Sequence, residues 1–157
     1  MVLKNATNDG DCLYEGHCFC GAIRFGLWGA PIVEGYCHCQ DCRDWSGSPL
    51  VAFMLVPYDT FVILEGEEHL VLRGRVPQTP RGWCALCGGH IGAFREHAEP
   101  PHVGISPHLF AGLSFEPTMH VFCDESVMQI PDDLPHYRGV PEELGGDGQL
   151  ISGTAGS

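Results

Sequence analysis

The stretch Gly16-His17-Cys18-Phe19-Cys20-Gly21-Ala22-Ile23-Arg24-Phe25 sets two cysteines one residue apart, closes them with a glycine and runs at once into a short apolar segment. The same design returns at Cys84-Ala85-Leu86-Cys87-Gly88-Gly89-His90-Ile91-Gly92-Ala93-Phe94. In both, the glycine after the cysteine pair tolerates the positive φ that folding a backbone around a metal requires. Two such knuckles close one tetrahedral four-thiolate site, so Cys18, Cys20, Cys84 and Cys87 are assigned to a structural Zn²⁺ joining the beginning and middle of the chain. The rival reading of Cys84-x-x-Cys87, a redox dithiol, needs a thioredoxin-like βαβ context that this neighbourhood lacks.

Between the knuckles lies Tyr36-Cys37-His38-Cys39-Gln40-Asp41-Cys42-Arg43-Asp44-Trp45-Ser46-Gly47-Ser48-Pro49. Seven of the nine cysteines thus fall into three clusters, the count for one closed zinc site and one open one. Three thiolates in one short turn cap one face of a metal and leave the other to solvent or substrate, as a catalytic Zn²⁺ requires. Cys37, Cys39 and Cys42 are the candidate open site. His38, between two ligands, points away from the metal and reads as a hydrogen-bonding neighbour of the ligands. The competing reading is a second structural site completed by Cys12, Cys123 or a histidine such as His90, His102 or His108. Cys123, in a strand-like segment, reads most simply as a small buried hydrophobe.

Composition bounds these readings. At 157 residues the chain suits one domain. Its net charge of −12, with Lys4 the only lysine and the arginines scattered, repels phosphate backbones and excludes nucleic acid as the expected partner. No leader pattern opens the sequence and no apolar run is long enough to span a bilayer, so a soluble, cytoplasmic protein is expected. In a reducing compartment, clustered cysteines more often bind metal than pair.

Twenty-one Gly and 12 Pro break the sequence into short segments without a long helical period, which predicts a mainly β fold. Strands are expected around residues 22–27, 49–56 and 120–123, and a hairpin from 61–66 and 70–73. The expected organisation is a flexible N-terminus over 1–11, one domain over 12–138 and a flexible Gly-rich tail over 139–157.

The ordered set Gly-x-Cys-x-Cys-Gly (Gly16 to Gly21), Cys-His-Cys-x-x-Cys-Arg with Ser-Gly-Ser-Pro (Cys37 to Pro49) and Cys-x-x-Cys-Gly (Cys84 to Gly88) resembles the glutathione-dependent formaldehyde-activating enzyme family, which also contains centromere protein V. The segment from His120 to Tyr137, with its Leu134-Pro135, resembles that family's closing strand and end. The resemblance implies a single-domain β-tent fold with two zinc ions, the first and third clusters holding the structural one and the central cluster the exchangeable, catalytic one. It implies a carbon–sulfur lyase-type reaction, addition of a thiol such as glutathione to formaldehyde or another small aldehyde. Arg43 is then a candidate contact for a carboxylate of the thiol substrate. The alternatives are a non-catalytic, zinc-stabilised interaction module and, more remotely, an iron–sulfur protein. Where related chains often carry a Pro-Trp pair near the closing strand, this one reads Ser126-Val127-Met128-Gln129, and it adds His97, His102 and His108 on an expected loop.

Overall fold

The structure, a computed structural model, describes residues 10–151. Among the described residues ten strands run in chain order: β1 (Tyr14–His17), β2 (Arg24–Leu27), β3 (Val33–Cys37), β4 (Val51–Pro57), β5 (Phe61–Glu65), β6 (Leu70–Arg73), β7 (Arg81–Cys84), β8 (His90–Arg95), β9 (His102–Ile105) and β10 (Met119–Val121). One α-helix, α1 (Gln40–Ser46), lies between β3 and β4 among the described residues. The mainly β class is as expected, and the three strands anticipated from residue pattern correspond to β2, β4 and β10.

The chain divides into two compact units, Met1–Ile32 with Met54–Phe115, and Val33–Phe53 with Glu116–Ser157. No linker marks the divisions; one of them falls inside β4.

In the first unit, β2 lies between β1 and β5 in an antiparallel sheet, with Gly16 opposite Phe25 and Leu27 opposite Phe61. A second antiparallel ladder runs from the later half of β4 through β9, β8 and β7 to β6. Strand period two turns Phe61 and Ile63 of β5 inward. Phe25, Phe61 and Phe94 are fully buried, and Phe25 meets Phe61 at a ring-centroid distance of 5.3 Å and Phe110 at 5.4 Å. Such tilted and edge-on contacts add to the area term that drives burial of this core. Cys18 and Cys84 belong to the same cluster, each at 0 % exposure.

The expected hairpin of 61–66 with 70–73 is not formed. β5 pairs with β2 and β6 with β7, so the two segments serve different ladders. After β5 the chain passes Gly66 at φ +76°, so close to Ala22 that a Cβ would sit 2.0 Å from its carbonyl oxygen. A 3₁₀ turn at Glu67–His69 then redirects it. β6 meets β7 with Leu70 opposite Cys84, and Ala85 N–H donates to His69 O at 2.8 Å, which anchors the second knuckle.

In the second unit β3 and β10 pair in parallel, His120 opposite Tyr36 and Val121 opposite Cys37. Gly47, at φ +69°, ends α1 by donating its N–H to Arg43 O at 2.8 Å. Residues 139–151, part of the stretch expected to be a flexible tail, make backbone hydrogen bonds: Phe122 N–H to Gly139 O at 2.7 Å, Arg138 N–H to Gln149 O at 2.7 Å and Ile151 N–H to His136 O at 2.9 Å. The remainder of that tail, 152–157, and residues 1–9 of the expected N-terminal arm lie outside the described residues. No helix among the described residues is long and apolar enough to cross a membrane.

Candidate metal centres

None of the nine cysteines is in a disulfide, and seven of them gather into the two groups anticipated from spacing. Cys18, Cys20, Cys84 and Cys87 form the first, their sulfurs within 4.8 Å of one another. Cys18 Sγ lies 3.7 Å from Cys20 Sγ, which lies 3.9 Å from Cys84 Sγ. A tetrahedron of sulfurs about 2.3 Å from a zinc ion has edges of about 3.8 Å, which these two separations match.

The two knuckles build this group by the same means. Gly21 N–H donates to Cys18 O at 3.0 Å and Gly88 N–H to Cys84 O at 2.8 Å, turns that Gly21 and Gly88 close at φ +81° and +73°. Backbone N–H groups also point at sulfur, Ile23 to Cys18 at 3.3 Å and Gly89 to Cys87 at 3.4 Å. The Gly89 N–H holds the Cys87 thiol down to about 7 against a smaller desolvation effect. Burial acts to raise Cys18, but the Ile23 N–H and the neighbouring sulfurs bring it below the ordinary thiol value. Cys20 gains from the Ala22 N–H, yet burial and the other three sulfurs push it up to about 11. Four sulfurs so close cannot all ionise alone, and a divalent cation removes that conflict.

Cys37, Cys39 and Cys42 form the second group within the same 4.8 Å limit, and no fourth His, Cys, Asp or Glu of the described residues joins them. Each comes from a different piece of local structure. Cys37 ends β3, Cys39 is the N-cap of α1, and Cys42 lies in its first turn. The cap is the sulfur itself: Cys42 N–H donates to Cys39 Sγ at 3.3 Å. Sharing of protons with Cys39 and Cys42, together with burial, drives the Cys37 thiol far above its ordinary value. Cys39 is drawn down by Cys37, but Cys42 and burial leave it raised. Three crowded thiols that resist ionisation are again a set whose charge a bound cation would balance.

The alternatives for a fourth protein ligand are placed elsewhere. Cys12, in the first unit, directs its thiol to Tyr14 O at 3.2 Å. Cys123 is buried and its thiol is pushed up to about 11 by desolvation and by Asp124 and Asp132. His90, His102 and His108 belong to the first unit; His102 Nδ1 bonds Pro100 O at 2.8 Å, and His108 meets the ring of Phe115 edge-on. Arg43 Nε donates to His38 O at 3.1 Å, within the cysteine loop, and Nη2 to Glu125 O at 3.0 Å, which ties that loop to the turn after β10. Glu125 returns the tie by accepting from Gln40 N–H at 2.7 Å.

The central loop is held by more than its cysteines. His38 is 1 % exposed, and its ring bonds His120 at 2.9 Å and Ser126 Oγ at 3.1 Å. Burial, reinforced by His120, His136 and Arg43, drops His38 to about 4, so it is neutral at physiological pH. His120, Asp132 and His136 form a third group, which residue pattern did not reveal. Its members are far from the cysteines in sequence, and only the parallel pairing of β10 with β3 brings them behind the loop. The one local signal was the spacing of Asp132 and His136.

The sequence model of the family described as "Glutathione-dependent formaldehyde-activating enzyme" matches residues 13–125. The chain belongs to this formaldehyde-activating enzyme family. Among its relatives is an uncharacterized lyase of Schizosaccharomyces pombe, 28 % identical over 104 residues that cover 64 % of this chain and 70 % of the relative. Another is a putative glutathione-dependent formaldehyde-activating enzyme of Halomonas elongata, 28 % identical over 88 residues, 52 % of this chain and 56 % of the relative. The chain thus matches little more than half the length of the Halomonas protein. A crystal structure of a Rhodobacter sphaeroides protein shares the fold at a TM-score of 0.52 and 20 % identity, over 64 % of this chain and 90 % of that one. Both cysteine groups lie inside the span matched to the formaldehyde-activating enzyme family.

Proposed function

We propose that this chain is a zinc-dependent carbon–sulfur lyase-type enzyme that adds a thiol, glutathione or a similar one, to formaldehyde or another small aldehyde. Family membership and the names of the two relatives support that class of reaction. The single observation that carries the assignment of roles is the contrast between the groups: four cysteine sulfurs gather at one, and three at the other, which no fourth His, Cys, Asp or Glu of the described residues joins.

In this reading Cys18, Cys20, Cys84 and Cys87 hold a structural zinc ion, while Cys37, Cys39 and Cys42 hold a second with a position for the substrate sulfur. An ion bound by the trio supplies thiol activation, keeping the substrate sulfur ionised and nucleophilic at neutral pH. Three thiolates outweigh the charge of one divalent cation, so little Lewis acidity is left to polarise the aldehyde carbonyl. The reaction forms one C–S bond, moves the C=O π pair onto oxygen, and returns to that oxygen the proton the thiol gave up. It involves no oxidation.

The chain's own residues serve by holding the trio in place. Arg43, with Nε and one Nη on carbonyls, offers its remaining N–H groups to a carboxylate of the thiol substrate. Nine cysteines, none in a disulfide, suit a reducing, cytoplasmic setting.

The test is thiol-dependent loss of free formaldehyde above the spontaneous rate. Cys39→Ala is expected to abolish the enzymatic part, at least about a hundredfold, while near-ultraviolet circular dichroism shows the fold retained. Full turnover in Cys39→Ala would remove the trio from catalysis. No enzymatic rate in the zinc-loaded wild-type chain, with several thiols and aldehydes tried, would leave the non-catalytic interaction module.

A further inference from the structure

Behind the cysteine trio, in the same unit, His120, Asp132 and His136 present two ring nitrogens and a carboxylate within 4.8 Å of one another. Donor types alone would suit a metal, but the ring geometry does not. A metal lies near the plane of each imidazole that binds it, about 2 Å from the nitrogen. The His120 and His136 rings are stacked, with centroids 4.1 Å apart and planes 17° from parallel, so their planes do not converge within that reach. The carboxylate already serves both rings. His120 Nε2 lies 2.9 Å from Asp132 Oδ2 and His136 Nε2 lies 3.3 Å from Oδ1, which also accepts Leu134 N–H at 3.1 Å.

The group is therefore a hydrogen-bond array. An ionised Asp132 can only accept, so His120 Nε2 carries a proton and donates. The other ring nitrogen of His120, Nδ1, lies 2.9 Å from His38 Nε2 and shares one proton with it. His38 Nδ1 in turn bonds Ser126 Oγ, 3.1 Å away, and the Ser126 O–H donates to the Met128 carbonyl. His120 is fully buried, stacked on Tyr36 on one side and His136 on the other.

The main chain of His38 is fixed as well. Its N–H donates to Val121 O at 3.0 Å and its carbonyl accepts from Arg43 Nε at 3.1 Å. All four polar groups of the residue between Cys37 and Cys39 are thus engaged, two by β10, one by α1 and one by the turn at Ser126.

We propose that His120 is a positioning residue for the cysteine trio: through His38 it fixes the backbone between Cys37 and Cys39, and so the spacing of the three sulfurs. Asp132 and His136 lie beyond the residues matched to the family, so the array is argued from this chain alone. The proposal rests on the reading of the trio as a metal site. A partner that orients a ligand without touching the metal commonly changes metal affinity about 10–100-fold.

Two substitutions of one buried ring separate positioning from mere packing. His120→Gln places its amide near Nε2, keeping the bond to Asp132 and losing the one to His38. His120→Asn places its amide near Nδ1, keeping the bond to His38 and losing the one to Asp132. Each removes the stacked ring, so packing loss is common to both. The full chain loaded with Co²⁺ is the probe, and the part of its absorption that Cys42→Ala abolishes belongs to the trio. His120→Gln is expected to shift that part and to speed loss of the trio's Co²⁺ to a chelator about tenfold, with His120→Asn within about threefold of wild type. Ser126→Ala, at the shared outer end of the array, is expected to show a smaller change in the same direction and serves if the His120 variants do not fold. Equal effects of Gln and Asn, or a wild-type spectrum and release rate in all folded variants, would overturn the positioning role. A wild-type chain whose cobalt spectrum is untouched by Cys42→Ala would overturn the metal reading of the trio, and the proposal with it.

Discussion

At the scale of single residues, Asp132 shows how the ionisation of one group reaches folding. Its partial burial acts to raise the carboxyl, but donors from His120, Leu134 N–H and His136 outweigh that effect and hold it below the usual carboxylate value. A depressed carboxyl contributes stability that is fully present above its unfolded value, about 4, and is lost as pH falls through the lower folded value. Asp132→Asn is expected to destabilise the chain by about 1 kcal/mol at neutral pH, with the difference from wild type shrinking below about pH 4. Denaturant titrations of both chains across that range provide the measurement. A difference that grew in acid would reverse the assigned direction. The cysteines were legible in the sequence because ligands two or three residues apart are a local pattern. The array was not: His38 and His120 are 82 positions apart. Sequence reading placed His38 beside the metal as a hydrogen-bonding neighbour but could not supply its partner. The donation from Arg43 Nη2 likewise depends on a turn near residue 125 that spacing cannot locate.

At the scale of elements, the knuckles are the best anticipated part of the molecule. A cysteine pair, a left-handed glycine and an apolar run are enough to specify a turn leading into a strand, which the structure realises before β2 and β8. Where sequence reading failed, pairing was decided over distance. Phe61 to Glu65 and Leu70 to Arg73 have the pattern of a hairpin, but the close passage of Gly66 over Ala22 and the 3₁₀ turn send them to separate partners. One of those partners, β7, carries Cys84, buried in the phenylalanine core, so the four-thiolate group and the ladder support each other. Structural zinc in small metal domains contributes on the order of 10 kcal/mol of folding free energy. Cys87→Ala is therefore expected to lower the melting temperature sharply and reduce soluble yield. A melting temperature unchanged from wild type, measured by calorimetry on zinc-loaded protein, would contradict a structural role for this group.

At the scale of the whole molecule, the two cysteine groups fall one to each compact unit: Cys18, Cys20, Cys84 and Cys87 in the first, Cys37, Cys39 and Cys42 in the second. Residue patterning found no such division, because neither unit is continuous in the chain and no Gly- or Pro-rich linker separates them. Four protein ligands must all let go for an ion to leave, whereas a three-ligand site offers an incoming chelator a place to attach first. Zinc is accordingly expected to leave the chain in two kinetic phases of one equivalent each, with glutathione accelerating only the faster. Release in a single phase would refute the difference between the sites. Zinc analysis of the protein recovered after the fast phase, together with its circular dichroism, identifies which unit has been emptied.

The sulfur of Cys39 both caps α1 and faces its two neighbours, and this dual employment has a consequence for how the loop can be altered. A hydroxyl caps a helix as well as a thiolate does, but it is a hard and weakly acidic donor that suits zinc poorly. Serine at this position would therefore preserve the cap and forfeit the ion, whereas alanine forfeits the ion and the cap bond while leaving the rest of the fold in place. The architecture of the loop and its chemistry meet at one atom, and oxygen in place of sulfur there is the change that tells them apart.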